Sequence, residues 1–87
     1  MSFALDITEA GRADLRQLDT WLQEEILDEL ERLVVKPPTR RIAGGDLVHD
    51  FTRTREGRTF YVFLRLKLVY TAELLRLKSI GVFVGTR

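Results

Sequence analysis

The sequence predicts an α+β fold, an antiparallel β-sheet with an N-terminal α-helical hairpin packed on one of its faces, in the order β-α-α-β-β-β. Three features predict it. Apolar residues recur at spacings of three and four through the first part of the chain, the mark of helices with one buried stripe. Lys36-Pro37-Pro38 stops that pattern, because proline lacks the amide donor and disfavours a helical residue before it. From Leu47 onward apolar and polar residues alternate, the period of half-buried strands. With 87 residues the chain suits a single domain spanning 1–87, and its 45% hydrophobic content is enough for a core.

Phe3, Leu5 and Ile7 alternate with Ala4 and Asp6 and read as a short strand. Thr8 is placed to cap a helix, with Glu9 near its positive end. Gly11, Leu15, Leu18 and Leu22 then form one stripe, interrupted at Asp19-Thr20. Thr20 and Gln23 match a capping box for a second helix, in which Ile26, Leu30 and Leu33 share a face. Glu24, Glu25, Asp28, Glu29 and Glu31 take the wet side. Two amphipathic helices joined by so short a connection make an antiparallel hairpin. Trp21 lies off the stripe; it is expected to seat against the sheet edge, the alternative being an exposed anchor for a partner.

Thr39 to Asp46 is a loop carrying Arg40, Arg41 and a glycine pair. A strand from Leu47 to Arg55 follows, then a turn at Glu56-Gly57 and a long strand from Arg58 or Thr59. The register of this hairpin is open. A two-residue turn sets His49, Phe51 and Arg53 on the face of Val62 and leaves Asp50, Thr52 and Thr54 on the other. A three-residue turn with a bulge brings His49, Arg53 and Arg55 beside Tyr61 and Arg65 instead. In the long strand Phe60, Val62, Leu64, Leu66 and Leu68 share one face, and Tyr61, Phe63, Arg65 and Lys67 the other. Thr71-Ala72-Glu73 is the expected second turn. The last strand is expected to set Leu75, Leu77 and Phe83 on one face and Arg76, Lys78, Ile80 and Val82 on the other.

The net charge of +1 hides a segregation. Residues 1–35 carry three arginines against nine acids, a net −6; residues 36–87 carry eleven basic residues against four acids, a net +7. Such a chain presents a basic surface to one partner and an acidic surface to another. The chain has no cysteine and one histidine, which excludes disulfide frameworks and the common zinc constellations; neither a metal nor a cofactor is expected. No basic segment followed by an apolar run opens the sequence, and Arg65 and Lys67 interrupt the apolar stretch from Phe60 to Val69. A cytoplasmic address and no membrane partner are therefore expected.

The helices need an apolar partner and should cover the Phe60/Val62/Leu64/Leu66 face, leaving the opposite face exposed, basic and partly aromatic. A two-residue second turn sets Lys67 opposite Arg76 and Arg65 opposite Lys78; a four-residue loop sets Lys67 opposite Lys78. Like charges directly across an antiparallel pair cost roughly 0.2–1 kcal/mol, so a sheet that keeps them points to an anion lying over them. A phosphate backbone is such an anion, and Tyr61 and Phe63 are placed to stack bases. Arg40, Arg41, Arg58, Arg76 and Lys78 complete the expected nucleic-acid contacts. His49 and Asp50 are adjacent strand residues that point to opposite faces, so they form no dyad.

These residues resemble the RelE/ParE superfamily of type II toxin–antitoxin toxins along nearly the whole chain. The resemblance rests on Phe3, Leu5, Ile7 and Thr8, on Gly11 with Leu15 and Leu18, and on Ile26, Leu30 and Leu33 before the proline. It continues through Ile42 to Gly44, the Asp50 to Arg58 hairpin and Leu77 to Gly81. It implies two helices on an antiparallel sheet and a cognate antitoxin that masks the active surface. RelE-like members cut mRNA on the ribosome with scattered basic side chains; ParE-like members poison DNA gyrase. If this chain acts as such a nuclease, Arg53, Arg55 and Arg65 are expected as phosphate or transition-state contacts and Tyr61 as the stacking or orienting group. Against the nuclease pattern, Asp50, Thr52 and Thr59 stand where basic residues are usual, and Tyr61 where an arginine is expected.

Overall fold

A computed structural model describes residues 4–70 and 75–86. The elements follow the expected order: β1 (Ala4–Ile7), α1 (Glu9–Arg16), α2 (Thr20–Val35), β2 (Leu47–Arg55), β3 (Arg58–Tyr70) and β4 (Leu75–Thr86). Phe3 and the Thr71-Ala72-Glu73 turn lie outside the described residues. Thr8 caps α1 as its sequence position predicts, accepting from the Gly11 amide at 3.2 Å and donating from Oγ1 to the Ser79 carbonyl at 2.8 Å. The expected capping box of α2 does not form. Asp19 occupies the cap position, and the Gln23 side chain donates to the Leu18 carbonyl at 2.7 Å instead.

The strands lie in the order β1-β4-β3-β2. β2, β3 and β4 are successive antiparallel neighbours, whereas β1 pairs with β4 in parallel. The sheet is therefore mixed, not antiparallel throughout. The cause is topological: the helical hairpin carries the chain from β1 across one face to the far edge. The meander then returns with β4 running in the direction of β1. Leu15 of α1 and Leu22, Ile26, Leu30 and Leu33 of α2 form the core with Leu47, Val62, Leu64, Leu66, Leu77 and Val82 of the sheet. Trp21 packs on the sheet but not at its edge as expected: it meets Phe60 of the inner strand β3 edge-to-face at 5.1 Å.

Pairing of Phe51 with Val62 and of Arg55 with Arg58 settles the first hairpin as the two-residue turn. Glu56 and Gly57 both take positive φ, 52° and 77°, as a tight turn between twisted strands requires. At the other end Tyr70 pairs with Leu75 and Lys67 with Lys78, the four-residue alternative. The last strand departs from its expected facing. Its register shifts opposite Arg65 and Leu66, which pair with Gly81 and Ser79 and leave Ile80 as an extra residue. Beyond this bulge the faces exchange: Val82 is buried, and Phe83 stands beside Phe63 on the uncovered side.

Candidate nucleic-acid interface

The helices cover one face of the sheet, and the other is open except at the start of β2, where Val48, opposite Arg65, is buried. On that open face β3 presents Tyr61, Phe63, Arg65 and Lys67, and β4 presents Arg76, Lys78 and Phe83. β2 adds Asp50, Thr52 and Thr54. Tyr61 is 44% exposed and Phe83 is 54% exposed, high values for aromatic rings on a strand. Gly81 and Gly85 lie opposite Arg65 and Tyr61, so β4 raises no side chain at those two positions. A depression of about 390 Å³ opens between β2 and β3, lined by Asp50, Phe51, Thr52, Tyr61, Val62 and Phe63. Aromatic rings thus occupy the middle of the face and cations the end nearer Lys67.

The cations do not stand alone. Asp46 accepts from Arg65 Nε at 2.7 Å, with Nη2 also 2.7 Å from the same oxygen. The loop holds this carboxylate in place: Ile42 donates to the Asp46 carbonyl, Gly45 to the Ile42 carbonyl and Arg41 Nη1 to the Gly45 carbonyl. Lys78 Nζ lies 3.7 Å from Asp6 on the neighbouring β1. Arg40 Nη2 lies 3.7 Å from Asp50. Among the described residues, Lys67 and Arg76 form no ion pair. Lys67 faces Lys78 directly across the ladder, a like-charge pair that Asp6 partly offsets on the Lys78 side.

Three of the expected site residues lie elsewhere. Arg53, Arg55 and Arg58 project toward the helices, because the two-residue turn gives them the facing of Val62. Arg53 donates to Glu25 at 3.2 Å and Glu29 at 3.4 Å. The guanidiniums of Arg55 and Arg58 lie over the rings of Trp21 and Phe60, at 5.0 and 5.5 Å. The denser basic cluster of the three-residue turn is not formed. Of the four residues expected at the reacting phosphate, only Tyr61 and Arg65 share the open face. Phe63, Lys67, Arg76 and Lys78 join them there, and Arg40 edges it through its pair with Asp50, whereas Arg41 bridges to Leu47, a residue of the helix-covered core. His49 sits on the helix side, its Nε2 4.0 Å from Glu29 and without a hydrogen bond among the described residues.

Sequence reading missed Phe83, Asp46 and Asp6. Phe83 reaches the face only through the bulge, for which Gly81 inside a strand was the available signal. The carboxylates of Asp46 and Asp6 belong to segments whose placement against the sheet no local pattern encodes.

This architecture has a counterpart among solved structures. The free-state structure of E. coli toxin RelE carrying two arginine-to-alanine substitutions superposes with a TM-score of 0.64 at 15% identity. The match covers 94% of this chain and 82% of that one. The fold is RelE-like. No family model and no curated protein sequence matches the chain. The RelE-like fold supplies the scaffold, two helices backing a four-stranded sheet, and the charge pattern just described is this chain's own. Among the described residues, no helix is long and apolar enough to cross a membrane, and no group of His, Cys, Asp or Glu side chains converges to hold a metal.

Proposed function

We propose that this chain is the toxin of a type II toxin–antitoxin pair, and that its open sheet face engages mRNA on the ribosome and cleaves it without a metal. One observation carries the reading: on a RelE-like fold, Arg65, Lys67, Arg76 and Lys78 share a surface with the exposed rings of Tyr61 and Phe83. Base stacking on such rings contributes about 1–3 kcal/mol per base and tolerates any sequence. Cations beside them neutralise the backbone. Cleavage through the ribose 2′-hydroxyl needs that hydroxyl oriented and positive charge set against the phosphate as it gains charge. On this reading Arg65 and Lys67 contact the phosphate, and Tyr61 stacks on or orients the nucleotide. Arg53 and Arg55 support the hairpin against the helices. The cognate antitoxin is an amphipathic helix or extended segment that covers apolar and basic surface together. The site of action is the cytoplasm.

Inducible expression with and without the adjacent reading frame, followed by transcript-end mapping, tests the proposal. New mRNA 5′ ends inside translated frames are expected, and K67A or R65A should abolish them. Growth arrest with intact transcripts overturns the nuclease reading.

The ion pairs of Arg65 with Asp46 and of Lys78 with Asp6 favour a second reading, because they lower the positive charge offered to a transition state. In it the chain is a non-enzymatic binding module, either a DNA gyrase inhibitor or an inactive toxin retained for repression with its antitoxin. Gyrase-dependent DNA breaks identify the first version. Full tolerance of expression without antitoxin identifies the second.

A further inference from the structure

The depression between β2 and β3 has an aromatic wall, Tyr61 and Phe63, and a polar rim made by Asp50. Asp50 projects from β2 opposite Phe63 and two ladder positions from Tyr61, its next neighbour along that face, which pairs with Thr52. Its side chain is 63% exposed, and Arg40 Nη2 stands 3.7 Å from Oδ2. An ionised carboxylate offers about four acceptor sites, and one guanidinium at that distance leaves most of them open. A ring stacked on Tyr61 can then be met along one edge by the two carboxylate oxygens followed by the cationic donor.

Only one common base complements that order. The Watson–Crick edge of guanine presents two adjacent donors, the N2 amino group and N1–H, followed by the O6 acceptor. Adenine and cytosine each set an acceptor nitrogen beside their amino group, which the carboxylate repels. Uracil has one N–H between two carbonyls, so a second carboxylate oxygen faces a like charge. Single-stranded RNA is commonly read in this way, by stacking one face and hydrogen-bonding the exposed edge.

We infer that the Asp50–Arg40 pair beside Tyr61 is a guanine-reading subsite, with Asp50 accepting from N1–H and N2–H and Arg40 donating to O6. The inference rests on the proposal that the open face holds RNA, and it adds the base that this face selects. The two fail separately. Phosphate contacts act on every sequence alike, whereas Asp50 acts on one base. Each well-formed bidentate contact to a base discriminates by roughly 1–3 kcal/mol, and the exposure of Asp50 places this one near the lower end, about tenfold in affinity.

The test is fluorescence anisotropy with four labelled pentaribonucleotides that differ only in a central G, A, C or U. Wild type should bind the G oligomer about tenfold more tightly than the A oligomer. D50N turns one acceptor into a donor and should bring that ratio near one. The ratio is the proper readout, because removing a negative charge raises affinity for every RNA. R40A, which removes only the O6 donor, should reduce the ratio in part and serves as the second variant if D50N melts early. K67A should weaken all four oligomers equally. Equal binding of the four oligomers by wild type, with K67A still weakening them, overturns the guanine subsite and leaves the RNA reading standing. A guanine preference that survives in D50N also overturns it. Absence of binding to all four, with K67A indistinguishable from wild type, overturns the guanine subsite as a reader of free RNA, while the ribosome-dependent reading stands or falls on transcript-end mapping.

Discussion

Arg53 and Arg65 belong to the same β-hairpin but face opposite sides of the sheet, and their surroundings assign them different work. Arg53 bridges Glu25 and Glu29, and the Glu29 side chain is only 13% exposed. Removing Arg53 leaves a mostly buried carboxylate with His49 at 4.0 Å and Arg32 at 3.6 Å as its remaining partners. Losing the hydrogen-bonded charged partner of such a carboxylate costs roughly 1–3 kcal/mol. R53A is therefore expected to lower the unfolding free energy by that amount, seen as a lower urea midpoint, while leaving RNA affinity unchanged. K67A should do the reverse, since Lys67 lies exposed on the open face. Paired denaturation and anisotropy measurements decide it. A loss of RNA binding in R53A at unchanged stability would return Arg53 to the site and contradict its placement. At this scale the sequence told which residues carry charge but not which of two registers they obey. Only the turn at Glu56-Gly57 separates those registers, and both lengths are compatible with the residues there.

Among the elements, α1 packs tightly on β4 at Gly11. A Cβ added at Gly11 would stand 2.7 Å from the Ser79 carbonyl oxygen, which also accepts from the Thr8 amide and hydroxyl. Alanine in place of a helical glycine ordinarily stabilises by about 1 kcal/mol. Here the neighbour is strand backbone at the bulge and does not rotate away, and overpacking of this kind costs about 1–3 kcal/mol. G11A should therefore destabilise, seen as a lower urea midpoint at unchanged slope; a gain in stability would mean that α1 has room to shift. The hairpin turn gives the opposite sign. Glu56 sits at φ 52°, a region where asparagine is far better tolerated. E56N should raise Tm by about 2–8 °C, following from roughly half to one kcal/mol in a domain of this size. A melt that overlays wild type would show the turn to be unstrained. Elements of this kind were legible: alternation gave β2 and β3, helical spacing with the proline stop gave α2, and the Thr8 cap formed as read. The bulge at Ile80 was not. One extra residue in a strand leaves the local pattern of apolar residues acceptable on either face, and only the ladder with Arg65 and Leu66 reveals it.

Across the whole molecule, the segregation of charge along the sequence becomes a segregation of surfaces in modified form. The acids of α2 stay on the helix side, where Glu25 and Glu29 also neutralise Arg53. The open face keeps four cations from β3 and β4, two of them held by carboxylates from β1 and the loop. Salt dependence reports how many of the four a nucleic acid engages. For single strands, log K falls with log salt by about 0.7 for each phosphate neutralised. Full engagement of Arg65, Lys67, Arg76 and Lys78 predicts a slope of about −2.8, and engagement of only Lys67 and Arg76 about −1.4. D46N frees Arg65 from its carboxylate. If the RNA reaches Arg65, this variant should bind several-fold tighter at low salt, and its slope should steepen by about 0.7 when wild type starts from the smaller value. K67A should flatten the slope by the same amount. Anisotropy titrations between about 50 and 200 mM salt cover the range over which such slopes are well determined. A wild-type slope near zero, unmoved by D46N and K67A, would mean that phosphate does not lie on the open face. The cationic ladder would then be a solvated surface whose Lys67–Lys78 repulsion the fold tolerates without return.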